Sequence, residues 1–223
     1  GTKYKPLNSS KKYKIGDCSF SDISTFSFHP VKIITSGEGG ALTFNKKEIK
    51  KKLKVFRNHG MIKSKKFFNY EVKELGFNYR LSDLNCALGL SQLKKINYFI
   101  RKRKTLFDYY NKKISNLDLY LKPIKTYKYC EPAWHLYVVK INFKKIKVNK
   151  NKFAKELLKK GIGSQVHYVP LIFQPLYKKE LRISNYKGAK EYYKNCLTLP
   201  LSVNMRYRDI DYIVFHIKKI MYL

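Results

Sequence analysis

Apolar and polar positions alternate along the chain with two periods, and the switches between them mark its elements. Residues 18–28 alternate small and apolar side chains as a buried strand does, 32–40 is turn-like, and strand character returns from Ala41 to Phe44. Over 46–58 the period becomes helical, with Ile49, Leu53 and Phe56 on one face and the lysines at 50–52 on the solvent side. From Ser82, where Ser82-Asp83 can cap a helix, Leu84, Ala87, Leu88, Leu90, Leu93, Ile96 and Ile100 keep one apolar stripe. The spacing predicts a single long helix to about Ile114, a length suited to a connector between two domains. Strand and helix then alternate: a strand over 134–143, a helix over 152–160 stopped by Gly161, and a strand over 164–169 ended by Pro170. Helices over 187–196 and 208–219 close the pattern, the last with Ile210, Ile213, Val214 and Ile217 inward. The reading is an α/β protein in two parts, 1–95 and 96–223, divided within the long helix.

Composition removes some function classes. A hydrophobic fraction of 44% with 14 Phe and 19 Tyr excludes a disordered basic tail. No apolar run approaches the ~18 residues of a membrane span, so a soluble protein is expected. The net charge of +33 suggests an anionic partner. Yet 41 of the 48 basic residues are Lys, spread from Lys3 to Lys219, and only seven are Arg, the residue whose planar fork suits phosphates and bases. A lysine-rich coding bias explains the charge better than a nucleic-acid site. A basic module that binds RNA or an anionic surface without catalysis is the alternative from another class. Cys18, Cys86, Cys130 and Cys196 are far apart, without a C-x-x-C pair or a His at zinc spacing, which argues against a metal and for free thiols in a reducing cytosol. The start at Gly1-Thr2, without Met or signal segment, reads as a chain cut in mid-sequence.

The stretch with most chemistry is Ser27-Phe28-His29-Pro30-Val31-Lys32, followed at 37–40 by Gly-Glu-Gly-Gly. Lys32 lies between a strand end and a glycine-rich turn, where an amine can be held from bulk water. Desolvation favours the neutral amine that condenses with an aldehyde. The glycines are a weak phosphate-loop signal, lacking the spacing of a nucleotide-binding loop.

Taken in order, Ser27 to Gly40, Arg57-Asn58-His59-Gly60, Gly76-Phe77-Asn78-Tyr79-Arg80-Leu81-Ser82-Asp83 and Ala87-Leu88-Gly89-Leu90-Ser91-Gln92-Leu93 resemble the DegT/DnrJ/EryC1/StrS family of sugar aminotransferases. The resemblance implies pyridoxal 5'-phosphate (PLP) as cofactor and the aspartate aminotransferase-like type I fold. On this view 1–95 is the C-terminal part of the PLP-binding large domain with the start of the connecting helix, and 96–223 is the small C-terminal α/β domain. Ser27–Lys32, Ala133-Trp134-His135-Leu136-Tyr137 and Gln165-Val166-His167-Tyr168-Val169-Pro170 look like the branch that aminates the 4-keto group of a UDP-linked 6-deoxy-N-acetyl-altrosamine in pseudaminic acid biosynthesis. Sister enzymes on other nucleotide-linked keto sugars share much of this pattern.

Carried over by position, Lys32 is the Schiff-base lysine and proton carrier. Ser27 binds the cofactor phosphate and lies near the substrate; a strand-end Ser bonding its own backbone is the alternative. Asn78 reaches the phosphate of the neighbouring subunit's PLP, which implies a homodimer with shared active sites. Arg80 pairs with a substrate phosphate or carboxylate, or with Asp83. Gln165, Val166, His167 and Tyr168 line the sugar-nucleotide pocket. His59 and His135 are read as structural, and Trp134 as core. The resemblance further implies an amino-acid donor such as glutamate and a cytoplasmic enzyme. A family dehydratase is expected to carry His where Lys32 stands. The family's Asp on the cofactor ring nitrogen falls before Gly1, so this chain alone is expected to be an incomplete, poorly active enzyme.

Overall fold

The computed structural model describes residues 1–6, 9–64, 68–177 and 183–221. Its elements in chain order are β1 (Lys3–Tyr4), β2 (Tyr13–Lys14), β3 (Ile23–Ser27), β4 (Gly40–Phe44), α1 (Lys47–Arg57), β5 (Met61–Lys63), β6 (Tyr70–Val72), α2 (Asp83–Lys94) and α3 (Ile96–Ile114), then β7 (Leu121–Pro123), β8 (Cys130–Glu131), β9 (Tyr137–Ile141), α4 (Lys150–Lys159), α5 (Lys187–Asn195), β10 (Cys196–Leu199) and α6 (Tyr207–Met221). They fall into two units, Gly1–Phe99 with Lys128–Pro132, and Ile100–Tyr127 with Ala133–Leu223. No helix among the described residues is long and apolar enough to cross a membrane.

The second unit is layered. Strands β10, β9 and β7 form an antiparallel sheet in that order, with Leu121 opposite Ile141 and Val139 between Pro123 and Leu197. Period-two alternation turns Leu121, Tyr137, Val139, Ile141, Leu197 and Leu199 to one face. There they join Leu106 and Tyr110 of α3, Phe153 and Leu157 of α4, and Ile210 and Ile217 of α6 in one buried cluster. Each such side chain contributes about 1.5–3 kcal/mol. Asn149 caps α4 by accepting from Lys152 N, and Gly161 ends it at φ +70°. On the sheet's other face lie Val138, Lys140, Cys196 and Thr198, with α5 beside β9.

The first unit is built from short antiparallel pieces: a sheet in the order β2-β1-β8, the β3–β4 hairpin and the β5–β6 hairpin. Among the described residues every buried hydrophobic side chain lies at or beyond Leu106, so this unit has none. In α1, Ile49 and Leu53 are half-buried and the lysines at 50–52 exposed, as the spacing implies.

Four expectations change. The buried strand over 18–28 is β3 from Ile23 to Ser27 alone, with alternate residues half-buried and none buried, because this chain lays no core against it. The single helix from Ser82 to Ile114 is two, α2 and α3. No Gly or Pro marks the break; the chain tightens for one turn as Lys95 N donates to Gln92 O and Leu93 O. The stripe of α2 is not buried within this chain, Leu84 being 85% exposed. The strand over 164–169 contracts to one bridge, Gln165 opposite Thr198, because the chain turns away before Pro170, which has no N–H for a ladder.

Candidate active site

Strand β3 ends at Ser27, the last residue paired with β4, opposite Gly40. The connection that follows carries Lys32. His29-Pro30-Val31-Lys32 is a four-residue turn closed by Lys32 N donating to His29 O at 2.9 Å, with Pro30 where its fixed φ suits the turn. Val31 N donates to His29 Nδ1 at 3.3 Å, and His29 N to Ser27 Oγ at 3.4 Å. The Lys32 residue is half-buried.

The rest of the connection is pinned by its own polar groups. Phe28 O accepts from Ser36 N at 3.0 Å and Thr35 Oγ1 at 2.9 Å, and Phe28 N donates to Gly39 O at 2.8 Å. Ser36, 1% exposed, donates from Oγ to Glu38 O at 2.7 Å. Helix α2 adds Asn85, whose Nδ2 donates to Ser36 O, and Gly89, where a Cβ would come within 3.3 Å of Ser36 Cβ. The glycines close the hairpin: Gly39 sits at φ +130°, and a Cβ at Gly40 would lie 2.4 Å from Phe26 O. Both positions thus serve close backbone passage.

Asn78 and Arg80 belong to a second strip. Phe77 N donates to Phe56 O, His59 N to Phe77 O and Tyr79 N to Arg57 O, each at 3.1 Å, so residues 77–79 run antiparallel to 56–59, with Asn78 opposite Asn58. Asn78 Oδ1 accepts from Arg80 N at 3.4 Å. Arg80 Nη1 donates to Asn58 Oδ1, so the guanidinium's partner is an amide on the facing strand rather than Asp83. Arg80 also lines an open groove of about 1080 Å³ with Phe26, Leu42, Leu53 and Phe56; Ser27, Lys32 and Asn78 do not.

In the second unit, Gln165 and Thr198 exchange both backbone hydrogen bonds, at 3.1 and 2.8 Å. Two residues on, His167 Nδ1 is 2.8 Å from Thr198 Oγ1, and its ring meets that of Tyr168 edge to face at 4.8 Å. Tyr168 is 68% exposed, whereas Val166 packs on the core cluster. Trp134 also packs there, stacked on Phe107 at 3.5 Å. His135 O accepts at 3.0 Å from the buried Arg103, which also donates to Leu201 O at 2.8 Å. Burial lowers the Arg103 pKa.

The structure therefore gathers Ser27 with Lys32, Asn78 with Arg80, and Gln165 with His167 and Tyr168. Sequence reasoning missed Asn85, Asn58 and Thr198, which hold these groups. Their signals are polar residues set in a helix's first turn, opposite Asn78 and inside an apolar strand.

Comparison with known proteins gives this geometry its context. The profile of the DegT/DnrJ/EryC1/StrS aminotransferase family matches residues 8–218. The chain is 39% identical over 203 residues to the UDP-4-amino-4,6-dideoxy-N-acetyl-beta-L-altrosamine transaminase of Campylobacter jejuni, covering 91% of this chain and 53% of that protein. Among solved structures it matches Helicobacter pylori PseC, an aminotransferase involved in the biosynthesis of pseudoaminic acid, with TM-score 0.82 and 35% identity over 91% of this chain and 54% of that one. It also matches the PLP form of the putative sugar aminotransferase Spr1654 from Streptococcus pneumoniae, with TM-score 0.84 and 28% identity over 99% and 55%. The chain spans about half the length of the curated relatives it matches. It shares their α/β aminotransferase fold, and it belongs to the DegT/DnrJ/EryC1/StrS aminotransferase family.

Proposed function

We propose that this chain supplies the lysine-bearing part of a PLP-dependent nucleotide-sugar aminotransferase. The whole protein transfers an amino group from an amino acid, glutamate in the first instance, to the 4-keto group of a UDP-linked 6-deoxy-N-acetylhexosamine in pseudaminic acid type biosynthesis. It works as a cytoplasmic homodimer with shared active sites. The observation that carries this reading is the Lys32 turn, an amine on a connection fixed at Phe28 O and Ser36 O in a chain 39% identical to a transaminase.

The donor set fits the cofactor: an amine for its aldehyde carbon, and the Ser27 hydroxyl and Asn78 amide for its phosphate. PLP, when bound, supplies the electron sink that stabilises negative charge at the donor Cα. Lys32 would hold the aldehyde carbon and, with its amine free, would carry a proton between the donor Cα and cofactor C4′. Ser27, at the end of a paired strand, offers a placed hydroxyl. Asn78 acts on the cofactor phosphate of the neighbouring subunit. Arg80 offers the sugar nucleotide a fork already oriented by Asn58. His167, oriented by Thr198, and Gln165, Val166 and Tyr168 belong to the sugar-nucleotide pocket, with Val166 as its apolar backing.

The test is borohydride trapping with PLP on the intact protein, followed by peptide mapping. With 41 lysines, only the distribution of label is informative. Selective labelling of Lys32, lost in Lys32→Ala, is the expected result; diffuse labelling unchanged in that variant rejects the assignment.

A further inference from the structure

The face of the β10-β9-β7 sheet away from the core carries an arrangement that composition does not explain. Lys122 of β7 and Lys140 of β9 are directly opposed in register, and both are exposed. Like charges directly opposite on paired strands repel. Helix α5 brings Lys187, Lys190 and Lys194, spaced to share one helical face, to the same place. With Lys144 beyond β9 they line a hollow of about 600 Å³ beside Tyr120 and Phe143. An adjoining hollow of about 500 Å³ shares Lys122 and Lys140 and adds Lys125.

Seven lysines thus face two carboxylates, Asp118 and Glu191. Glu191 is taken by Lys140, at 2.5 Å, and holds the Lys140 pKa above its ordinary value. Five positive charges are left over along one groove. In a chain with 41 lysines a count alone carries nothing. Here the strand register and the helix face each bring lysines to one concavity, where Glu191 offsets Lys140. The volume lies in the ordinary range for small-ligand sites, ~300–1,000 Å³.

We propose that this groove binds a short polyphosphate chain, inorganic or carried by a nucleotide. It shares no lining residue with the candidate site and stands independently of the aminotransferase reading. Its lysines contact successive phosphate oxygens as point charges, and the Tyr120 and Phe143 rings wall the groove.

The test is calorimetric titration of the intact protein with inorganic tripolyphosphate at physiological salt. Lys122→Ser combined with Lys187→Ala and Lys190→Ala is expected to weaken binding by about tenfold or more, because each lost phosphate contact is an ionic one. Removing the same charge elsewhere in the unit, by Lys112→Ala with Lys152→Ala and Lys155→Ala, is expected to change it less than about twofold. All six side chains are exposed, so both variants are expected to keep the native circular dichroism. Absence of binding to the parent protein overturns the proposal, as does equal weakening in both variants. A parallel titration with ATP identifies the source: tighter binding than tripolyphosphate, with the same dependence on the groove, names a nucleotide, and weaker binding names the inorganic chain.

Discussion

Gly60 and Gly76 stand back to back where the strip bearing Asn78 and Arg80 crosses the strip bearing Asn58. A Cβ on Gly76 would lie 2.2 Å from Gly60 N and 2.8 Å from His59 C, and a Cβ on Gly60 would lie 1.7 Å from Glu74 O. The neighbours are backbone atoms, so no side chain can swing away. Ordinary contact between such atoms is about 3.5 Å, so Gly76→Ala must push the strips apart by about 1 Å. Gly76 has no left-handed φ, so its substitution tests the contact alone. Gly161, at φ +70° with open space around its Cβ position, tests the backbone alone.

Gly161→Ala is expected to cost about 1 kcal/mol through its left-handed φ. Gly76→Ala carries an overpacking cost of about 1–3 kcal/mol. Gly60→Ala carries both, φ being +70° there too. The larger consequence is chemical. A displacement of about 1 Å at Asn78 and Arg80 is enough to lower turnover about a hundredfold, whereas Gly161→Ala leaves turnover unchanged. The assays are urea unfolding for Gly161→Ala, amide hydrogen exchange of the strips at 56–59 and 77–79 for Gly76→Ala and Gly60→Ala, and transamination by the intact protein for all three. Gly76→Ala with native turnover refutes the claim that backbone contact at 60 and 76 places the Asn78–Arg80 strip.

Lys32→Ala is expected to abolish transamination while circular dichroism stays native; retained turnover excludes Lys32 as the amine. Thr198→Val keeps the β10 backbone pairing but removes the 2.8 Å contact with His167 Nδ1, so the ring's nitrogen resonances are expected to shift, with native positions restored by Thr198→Ser. Tyr110 is fully buried, donates to Pro200 O at 2.9 Å, and has its pKa raised by burial. A raised folded pKa means stability present below the unfolded value of about 10 and lost as pH rises beyond it. Tyr110→Phe is therefore expected to cost about 1 kcal/mol at neutral pH and to flatten the alkaline fall of the urea midpoint; an unchanged slope counts against this source. Asn85→Ala, which frees Ser36 O, is expected to weaken PLP trapping at Lys32 without altering the second unit's unfolding midpoint.

The elements most legible in the sequence are those whose apolar face meets a core inside this chain. Helix α4, with Phe153 and Leu157 inward, and α6, with Ile210 and Ile217, follow their periodicity to within two residues of the expected ends, because burial is what produced the pattern. Periodicity names the face that prefers burial but not the partner that supplies it. The stripe of α2 therefore reads like that of α6, yet its leucines are exposed in this chain. The candidate site shows the same division. Lys32 is one lysine of 41 and stands out only through the motif around it, while Asn85 and Thr198 act on residues 49 and 31 positions away in sequence, a distance local patterns do not encode.

The buried core and the proposed lysine-bearing site fall in different stretches of this chain. All buried hydrophobic residues described lie at or beyond Leu106, and area removed from water is the dominant favourable term in folding. A denaturant transition of this chain therefore reports on the second unit. Ser27, Lys32, Asn78 and Arg80 belong to the first, which is held by short antiparallel pairs and by hydrogen bonds such as those at Phe28 O. Two-stranded pairs are marginal in water by themselves. Variants at those four residues are thus expected to leave the unfolding midpoint where it is, so their effect must be read from labelling or turnover. A variant at Leu157, fully buried in the second unit's core, does the reverse: Leu157→Ala is expected to lower the stability read by that transition by about 2–5 kcal/mol.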